Sequence, residues 1–451
     1  MKSTASTKSL CNESFLSGLN QFSNTKKFWI AYSGGMDSSV LLHLFYSNKD
    51  KIRQNINVVY VHHGLQEEAD DWAQFCKEQC QYYGFSFIKL QITEGCPKGE
   101  SVEAWAREKR YALISEVMNN NDVLFTAHHQ DDQVETFFLQ ALRGAGPRGL
   151  ASMPEIRKKS NTLLVRPLLN YSRNDLKEYA AVNKINWQED KSNSNHRYDR
   201  NYFRHQLAPV IEERWPAYRE TISRLIDNQN ECRLLLNELA AEDLERAMHK
   251  NSLKLDVVKT LSVTRQKNLI FFWLQELNLK TPGSRNINKI ISDIINSAPD
   301  KSPCVNWEDV EVRRYRNSLY AAKVLEEFEA NIEYKWNPEE VLNISGETLS
   351  TISGKGKGIS KDKIKNAELV IRFRQGGEKI KPDGFSHTKT VKQLFQERSV
   401  LPWLRDRIPL IYIDDKLIAI PGFCIDERYL AAQDDQSWDI VWSGFDKVIQ
   451  S

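Results

Sequence analysis

No apolar run in this chain of 451 residues approaches the roughly 18 residues that span a bilayer, and the polar beginning of the sequence lacks a signal-peptide pattern. The expectation is a cytoplasmic protein with no membrane partner. Cysteine is scarce and scattered, with seven residues at Cys11, Cys76, Cys80, Cys96, Cys232, Cys304 and Cys424. An odd number at such spacings suits reduced thiols better than a disulfide framework. Cys76 and Cys80 share one face of an expected helix and read as core-facing, because two thiols make an incomplete metal site. No Cys-x-x-Cys pair occurs anywhere. A large charge imbalance is also missing: the formal net charge is only +2. That does not exclude nucleic acid, because binding depends on where the basic residues lie. They concentrate between Lys355 and Lys392, a run that equally describes a solvated face.

What is present begins with Phe28-Trp29-Ile30-Ala31-Tyr32-Ser33-Gly34-Gly35-Met36-Asp37-Ser38-Ser39-Val40. An apolar strand runs into a glycine- and hydroxyl-rich turn that opens a helix. Gly34 and Gly35 let the backbone approach phosphate oxygens, Ser33 and Ser38 add hydroxyls, and the helix dipole favours an anion at that end. A Walker-type loop would carry a lysine, and none is here. Instead Asp37 stands in the turn, where it would repel phosphate unless a divalent cation lay between. Ser33 to Ser38, with Met36 between, therefore reads as a pyrophosphate cradle with Asp37 anchoring Mg²⁺; the resemblance that follows makes ATP the bound nucleotide. Ser-Gly-Gly-x-Asp-Ser resembles the signature of the N-type ATP pyrophosphatases, which adenylate a carbonyl oxygen and then displace AMP with a nucleophile.

Through residue 185, short β-rich runs at Phe28–Tyr32, Asn57–Val61, Ser86–Gln91, Val123–Ala127 and Leu163–Pro167 alternate with amphipathic stretches at Ser38–Ser47, Gln66–Tyr83, Ser101–Asn119, Asp131–Leu142 and Ser172–Asn183. This predicts an α/β fold with a doubly wound parallel sheet and ligands beyond the carboxyl ends of its strands. Helical spacing at Ile222–Ala247 and Arg265–Leu277 predicts a small helical domain next. Mixed signals beyond Tyr334, with a hairpin at Asp414-Asp415, predict a C-terminal α+β domain. The expected boundaries are 1–214, 215–328 and 329–451.

Two runs follow expected strands: Val61-His62-His63-Gly64 and Ala127-His128-His129-Gln130-Asp131-Asp132-Gln133-Val134-Glu135. Asp132 and Glu135 are i,i+3 neighbours on a helix. Next to the phosphate loop they read as a site for Mg²⁺, or for an ammonium group that must be bound and deprotonated. Acids in a first helical turn also arise for dipole reasons alone. The histidines stay open between metal, adenine and local satisfaction. Glu103, Arg107 and Arg110 share a helix face, which a surface salt-bridge ladder would also explain.

The order Glu103-x-x-Ala106-Arg107-x-x-Arg110-Tyr111, Arg143-Gly144-Ala145-Gly146-Pro147-Arg148-Gly149, Arg166-Pro167-Leu168-Leu169, Trp187-x-Glu189-Asp190-x-Ser192-Asn193 and Asp199-Arg200-Asn201-Tyr202-Phe203-Arg204 is similar to the tRNA(Ile)-lysidine synthetase family. The similarity continues through Arg372-x-Arg374-x-x-Gly377-Glu378, Lys392-Gln393-Leu394-Phe395-Gln396-Glu397 and Pro402-Trp403-x-Arg405-x-Arg407. The missing Cys-x-x-Cys counts against the iron–sulfur-dependent thiolating relatives. The resemblance implies ATP-dependent ligation of free L-lysine to the wobble cytidine of an isoleucine tRNA with anticodon C-A-U, with Mg²⁺. It implies catalytic roles for Asp37, Asp132, Glu135, Arg200 and Arg204, and metal contacts from Asp37 and Asp132. Arg107, Arg110, Arg143, Arg166, Lys389 and Lys392 would face tRNA. Which of the two acids takes metal and which takes lysine stays open, as does the oligomeric state, a homodimer included.

Overall fold

The computed structural model describes residues 10–62, 69–97, 99, 102–159, 162–189, 199–298, 302–365 and 367–445. His63, Gly64, Asp190, Ser192 and Asn193 lie outside them, as does the side chain of Glu103. The chain divides into two compact units, Met1–Leu236 and Asn237–Ser451. The expected boundary at 214/215 lies just ahead of a long helix, and the division between units falls inside that helix.

The first unit is built on six strands: β1 Lys27–Ala31, β2 Asn55–His62, β3 Ser86–Gln91, β4 Val123–Phe125, β5 Ile156–Lys159 and β6 Thr162–Val165. Their order is β3-β2-β1-β4-β6-β5. All neighbours are parallel except the β5–β6 pair. In β1 successive side chains alternate faces: Phe28 and Ile30 join one core cluster and Trp29 the other. Helices cover both sides, so the strand is apolar throughout rather than alternating. The helices are α1 Asn12–Leu19, α2 Met36–Ser47, α3 Ala69–Tyr83, α4 Val102–Val117, α5 Gln130–Leu142, α6 Pro147–Leu150, α7 Arg173–Val182, α8 Asp199–Tyr202, α9 Ala208–Arg214 and α10 Tyr218–Ala247. The five expected parallel strands and their helices are present, and β5 is an antiparallel edge strand that the sequence pattern did not announce. The strand order reverses between β1 and β4, so the loops after them open a crevice at the carboxyl edge of the sheet.

In the second unit, α11 Leu255–Thr260, α12 Val263–Glu276 and α13 Ser284–Lys289 pack with a five-stranded antiparallel sheet. Its strands are β7 Met248–His249, β8 Ser252–Lys254, β9 Cys304–Trp307, β10 Val310–Tyr315 and β11 Ser318–Lys323. The expected helices are therefore joined by a sheet whose strands are short and whose alternation is masked. Glu311 and Arg314 are both buried in β10, because Glu311 is held by Arg313 at 2.8 Å and Arg314 donates to Ser297 O at 2.8 Å.

The rest forms an α+β body with strands β12 Tyr334–Trp336, β13 Leu342–Ile344, β14 Glu347–Lys355, β15 Ile359–Ser360, β16 Leu369–Arg372, β17 Lys379–Ile380, β18 Lys389–Thr390, β19 Leu410–Ile413, β20 Lys416–Ile420, β21 Cys424–Ile425 and β22 Gln436–Trp442, and helices α14 Lys361–Ile364 and α15 Val391–Glu397. Asp414, with φ +50°, turns the β19–β20 hairpin. Among the described residues, no helix is long and apolar enough to cross a membrane.

Candidate active site

The glycine turn after β1 is fixed by sterics. Gly34 has φ +81°, and a Cβ there would lie 3.0 Å from Cys76 Sγ on α3, so only glycine fits. Gly34 O accepts from Gln188 N at 2.9 Å, which ties the turn to the segment after α7. Cys76 and Cys80 are fully buried, and burial pushes the Cys80 thiol up to about 12. They are core residues, as their spacing indicated. Gly35 is the N-cap of α2 and supplies no side-chain cap, so the first-turn N–H groups of that helix remain available to an anion. Ser38 Oγ donates to Gly35 O at 3.0 Å, accepts from Ser33 N at 3.2 Å and lies 3.0 Å from Ser33 Oγ. Ser33 itself is exposed at the mouth.

Across the crevice the turn after β4 brings the acids in. His129 is the N-cap of α5, and its backbone N–H donates to Asp132 Oδ2 at 3.1 Å. The imidazole is buried, with Nε2 3.5 Å from both Asp37 Oδ2 and Asp132 Oδ2 and Nδ1 3.7 Å from Asp131 Oδ2. Burial opposes its charge, but Asp132, Asp37 and Asp131 outweigh it and raise the pKa to about 9. An imidazolium thus bridges the phosphate loop to the acidic helix. His128 is the opposite case: it shares a 2.8 Å hydrogen bond with Thr126 Oγ1. Desolvation, together with Arg166, Arg107 and Arg200, lowers its pKa to about 3 against the pull of Asp132, so it is neutral.

The three acids of α5 are not equivalent. Asp131 accepts from Arg219 Nε at 2.7 Å and from Arg173 N at 2.8 Å, which ties α5 to α10 and α7. Asp132 would be raised by burial, but His129 and Arg204 hold it below the usual carboxylate range. Glu135 is pushed up by burial despite Arg204. Arg204 Nε donates to Glu135 Oε1 at 2.7 Å, and Nη2 lies 3.4 Å from Asp132 Oδ1. Among these acids two carboxyl oxygens are left buried without a hydrogen-bond partner, Asp37 Oδ1 and Glu135 Oε2. Buried acceptors in that condition are costly unless a ligand meets them.

The other arginines separate. Arg143 ends α5 and faces Asp199 at 3.7 Å. Arg107 is half-buried, 5.7 Å over the Tyr111 ring, and Arg110 is exposed on the same helix. Arg200 lies on α8, one turn before Arg204. Arg166 departs from its expected role as a substrate contact. It is 1% exposed, donates to Pro154 O at 2.7 Å, and its guanidinium is enclosed by protein. Sequence shows an arginine after a strand but not which way the strand end buries it.

Three family models match the chain: a PP-loop domain over residues 5–211, a TilS substrate binding domain over 253–320 and a TilS substrate C-terminal domain over 369–442. The tRNA(Ile)-lysidine synthase of Coxiella burnetii (strain RSA 493 / Nine Mile phase I) is 36% identical over 429 residues, spanning 95% of this chain and 96% of that protein. The chain belongs to the tRNA(Ile)-lysidine synthase family. The synthase of Legionella pneumophila (strain Paris) is 34% identical across 96% of this chain and 99% of its own length. That of Methylococcus capsulatus (strain ATCC 33009 / NCIMB 11132 / Bath) is 35% identical across 91% and 94%.

Within the region matched by the family's C-terminal domain, most of the basic run is already paired. Arg372 meets Glu333 and Asp415, Arg374 meets Asp406, and Lys381 meets Glu427. Just ahead of that region, Lys355 meets Asp434. Lys389, 12% exposed, donates to Glu397 at 2.8 Å and lies 4.0 Å over the Phe385 ring. Lys392 is exposed. Sequence reasoning missed Arg219, which lies 88 positions from Asp131. It left His129 open, although His-x-x-Asp at a helix start is a capping signal that ties it to Asp132.

Proposed function

We propose that this chain ligates lysine, through its ε-amine, to C2 of the wobble cytidine in an isoleucine tRNA with anticodon C-A-U. The C2 carbonyl oxygen attacks the α-phosphate of ATP and pyrophosphate leaves. The amine then attacks C2 and AMP leaves. The product pairs with A instead of G and changes the tRNA from a methionine to an isoleucine acceptor. The observation that carries this reading is the bridge from Asp37 through His129 to Asp132, with Glu135 beyond. It sets a pyrophosphate cradle beside an acidic pocket suited to an ammonium.

The phosphates lie on Ser33 to Ser38 and the open N-terminus of α2. Mg²⁺ fits Asp37, whose Oδ1 is a buried acceptor lacking a partner, with Asp132 as the second carboxylate. An ion at this site would be held by one or two carboxylates, phosphate oxygens and water. When bound it would neutralise charge on the departing pyrophosphate. Glu135, with its raised pKa and a buried Oε2 that lacks a hydrogen-bond partner, takes the ammonium and accepts its proton before attack. Arg107, Arg110, Arg143 and Arg200 hold RNA phosphate or the displaced base, with Arg166 supporting them from beneath.

The test incubates protein, ATP, Mg²⁺ and radiolabelled lysine with two transcripts, the isoleucine tRNA bearing C-A-U and the elongator methionine tRNA. Label entering only the first, with one AMP per lysine, is expected. AMP release that requires a sulfur donor, with no lysine incorporated, would move the chain to the thiolating branch.

A further inference from the structure

Asp131 stands apart among the acids of α5, because the proposed reaction gives it no task and yet both of its oxygens are tightly held. Arg219 Nε donates to Oδ1 at 2.7 Å and Arg173 N to Oδ2 at 2.8 Å. The same guanidinium grips Glu212 with its other two nitrogens, Nη1 to Oε1 at 2.7 Å and Nη2 to Oε2 at 3.1 Å. Arg219 therefore joins α5 to α9 from its place on α10 with every nitrogen engaged, a fork that an ammonium does not copy.

The root of that fork is fixed as well. Tyr218, 6% exposed, shares an apolar cluster with Val134 of α5 and with Phe203, and the Arg219 guanidinium lies 4.7 Å over the Tyr218 ring. One turn further along α10, Ser223 Oγ accepts from Gln130 Nε2 at 3.1 Å, while Gln130 N donates to Tyr171 O at 2.9 Å. The first two residues of α5 are thus braced from several sides at once. Beside them is the imidazole of His129. Asp131 Oδ2 lies 3.7 Å from its Nδ1, and Nε2 on the other side of the ring is 3.5 Å from both Asp37 and Asp132. The ring orientation that offers Nε2 to those two acids is the one that offers Nδ1 to Asp131. A carboxylate anchored there opposes any other turn of the ring. A carboxylate free to swing would follow the ring instead.

We propose that Arg219 is a positioning residue for adenylation: by anchoring Asp131 it fixes the ring of His129, and with it the spacing of Asp37 and Asp132. This rests on the reading of those two acids as the carboxylates of the ATP site. Arg219 itself touches neither nucleotide nor base, and its effect passes through Asp131 and His129.

The measurement is pyrophosphate release in a single turnover of the full chain with ATP, Mg²⁺ and the isoleucine transcript, without lysine. Rates are taken at saturating ATP and tRNA and per folded enzyme, the folded fraction coming from urea unfolding. Arg219→Met is expected to slow release roughly tenfold or more while the half-saturating tRNA concentration stays the same. Arg219→Lys, which keeps the charge but does not hold Asp131 and Glu212 together, should fall between it and the wild type. The deciding comparison uses a second background. Because the effect passes through His129, Arg219→Met should change the rate of a His129→Gln protein by less than about twofold. A merely structural brace would slow both backgrounds by the same factor, and that result overturns the proposal, as does an Arg219→Met protein with the wild-type rate. A wild type that releases no pyrophosphate with this tRNA removes the proposed function itself. A wild type that does release it, with equal losses in the two backgrounds, removes the role of Arg219 alone.

Discussion

Asp37 joins two demands in one side chain. Its Oδ2 faces the His129 imidazolium at 3.5 Å, while Oδ1 is buried with no hydrogen-bond partner. Asp37→Ala is expected to keep the fold, because the residue is at the rim of the crevice, and to lower AMP formation by roughly 100-fold or more, the scale of several kcal/mol of lost charge stabilisation. Substantial AMP release by a folded Asp37→Ala protein would remove the metal-anchor role. His129 carries a prediction about pH. Its folded pKa of about 9 lies above the ordinary imidazole value of 6.5. The imidazolium therefore stabilises fully below pH 6.5, and that contribution is lost as pH rises through about 9. The loss amounts to at most about 3 kcal/mol at 1.36 kcal/mol per unit. Urea unfolding at pH 6.5 and 9.5 should show a fall for the wild type that is much reduced in His129→Gln. Equal falls in the two proteins would mean that other groups carry the pH dependence.

At the scale of elements, α5 shows what is legible in a sequence. Its start, its acids and its place after a strand could all be read, because capping, periodicity and strand–helix alternation are local signals. Which acid meets which cation could not, because Arg219 and Arg204 arrive from segments far along the chain whose approach is set by packing. The same limit applies to Arg166, which donates to Pro154 O just ahead of β5, and to β10, where the buried charged side chains Glu311 and Arg314 erase the alternation that marks a strand. At α15 the structure divides two lysines that sequence treated alike. Lys389 precedes Thr390, the N-cap of the helix, and reaches Glu397 at its far end. Lys389→Ala should cost about 1 kcal/mol of stability, from an ion pair shielded only on its lysine side and a cation–π contact, measured by denaturant unfolding. Lys392→Ala should leave stability unchanged and weaken tRNA binding instead. An unaltered tRNA affinity for Lys392→Ala across a salt series would take that lysine off the RNA surface.

For the whole molecule, the formal charge of +2 conceals how the basic residues are spent. In the run from Lys355 to Lys392, five cations are held in ion pairs with acids of the same unit, namely Lys355, Arg372, Arg374, Lys381 and Lys389. Lys357, Lys365, Lys379 and Lys392 are exposed, and no ion pair holds any of them among the described residues. Such a surface has few cations with which to release counterions, so association with RNA should depend on salt only moderately and leave discrimination to contacts at the crevice. Replacing these four lysines with Ala should reduce the magnitude of the slope of log K against log salt by about 3, taking roughly 0.7–0.9 per phosphate contact. ATP affinity and turnover at saturating tRNA should be preserved, because the crevice residues all belong to the first unit. Filter binding over a salt series, with turnover measured alongside, decides the matter. A slope that stays the same would place the RNA-facing charge elsewhere, and a fall in saturated turnover would mean that these lysines act on the chemistry as well as on the encounter.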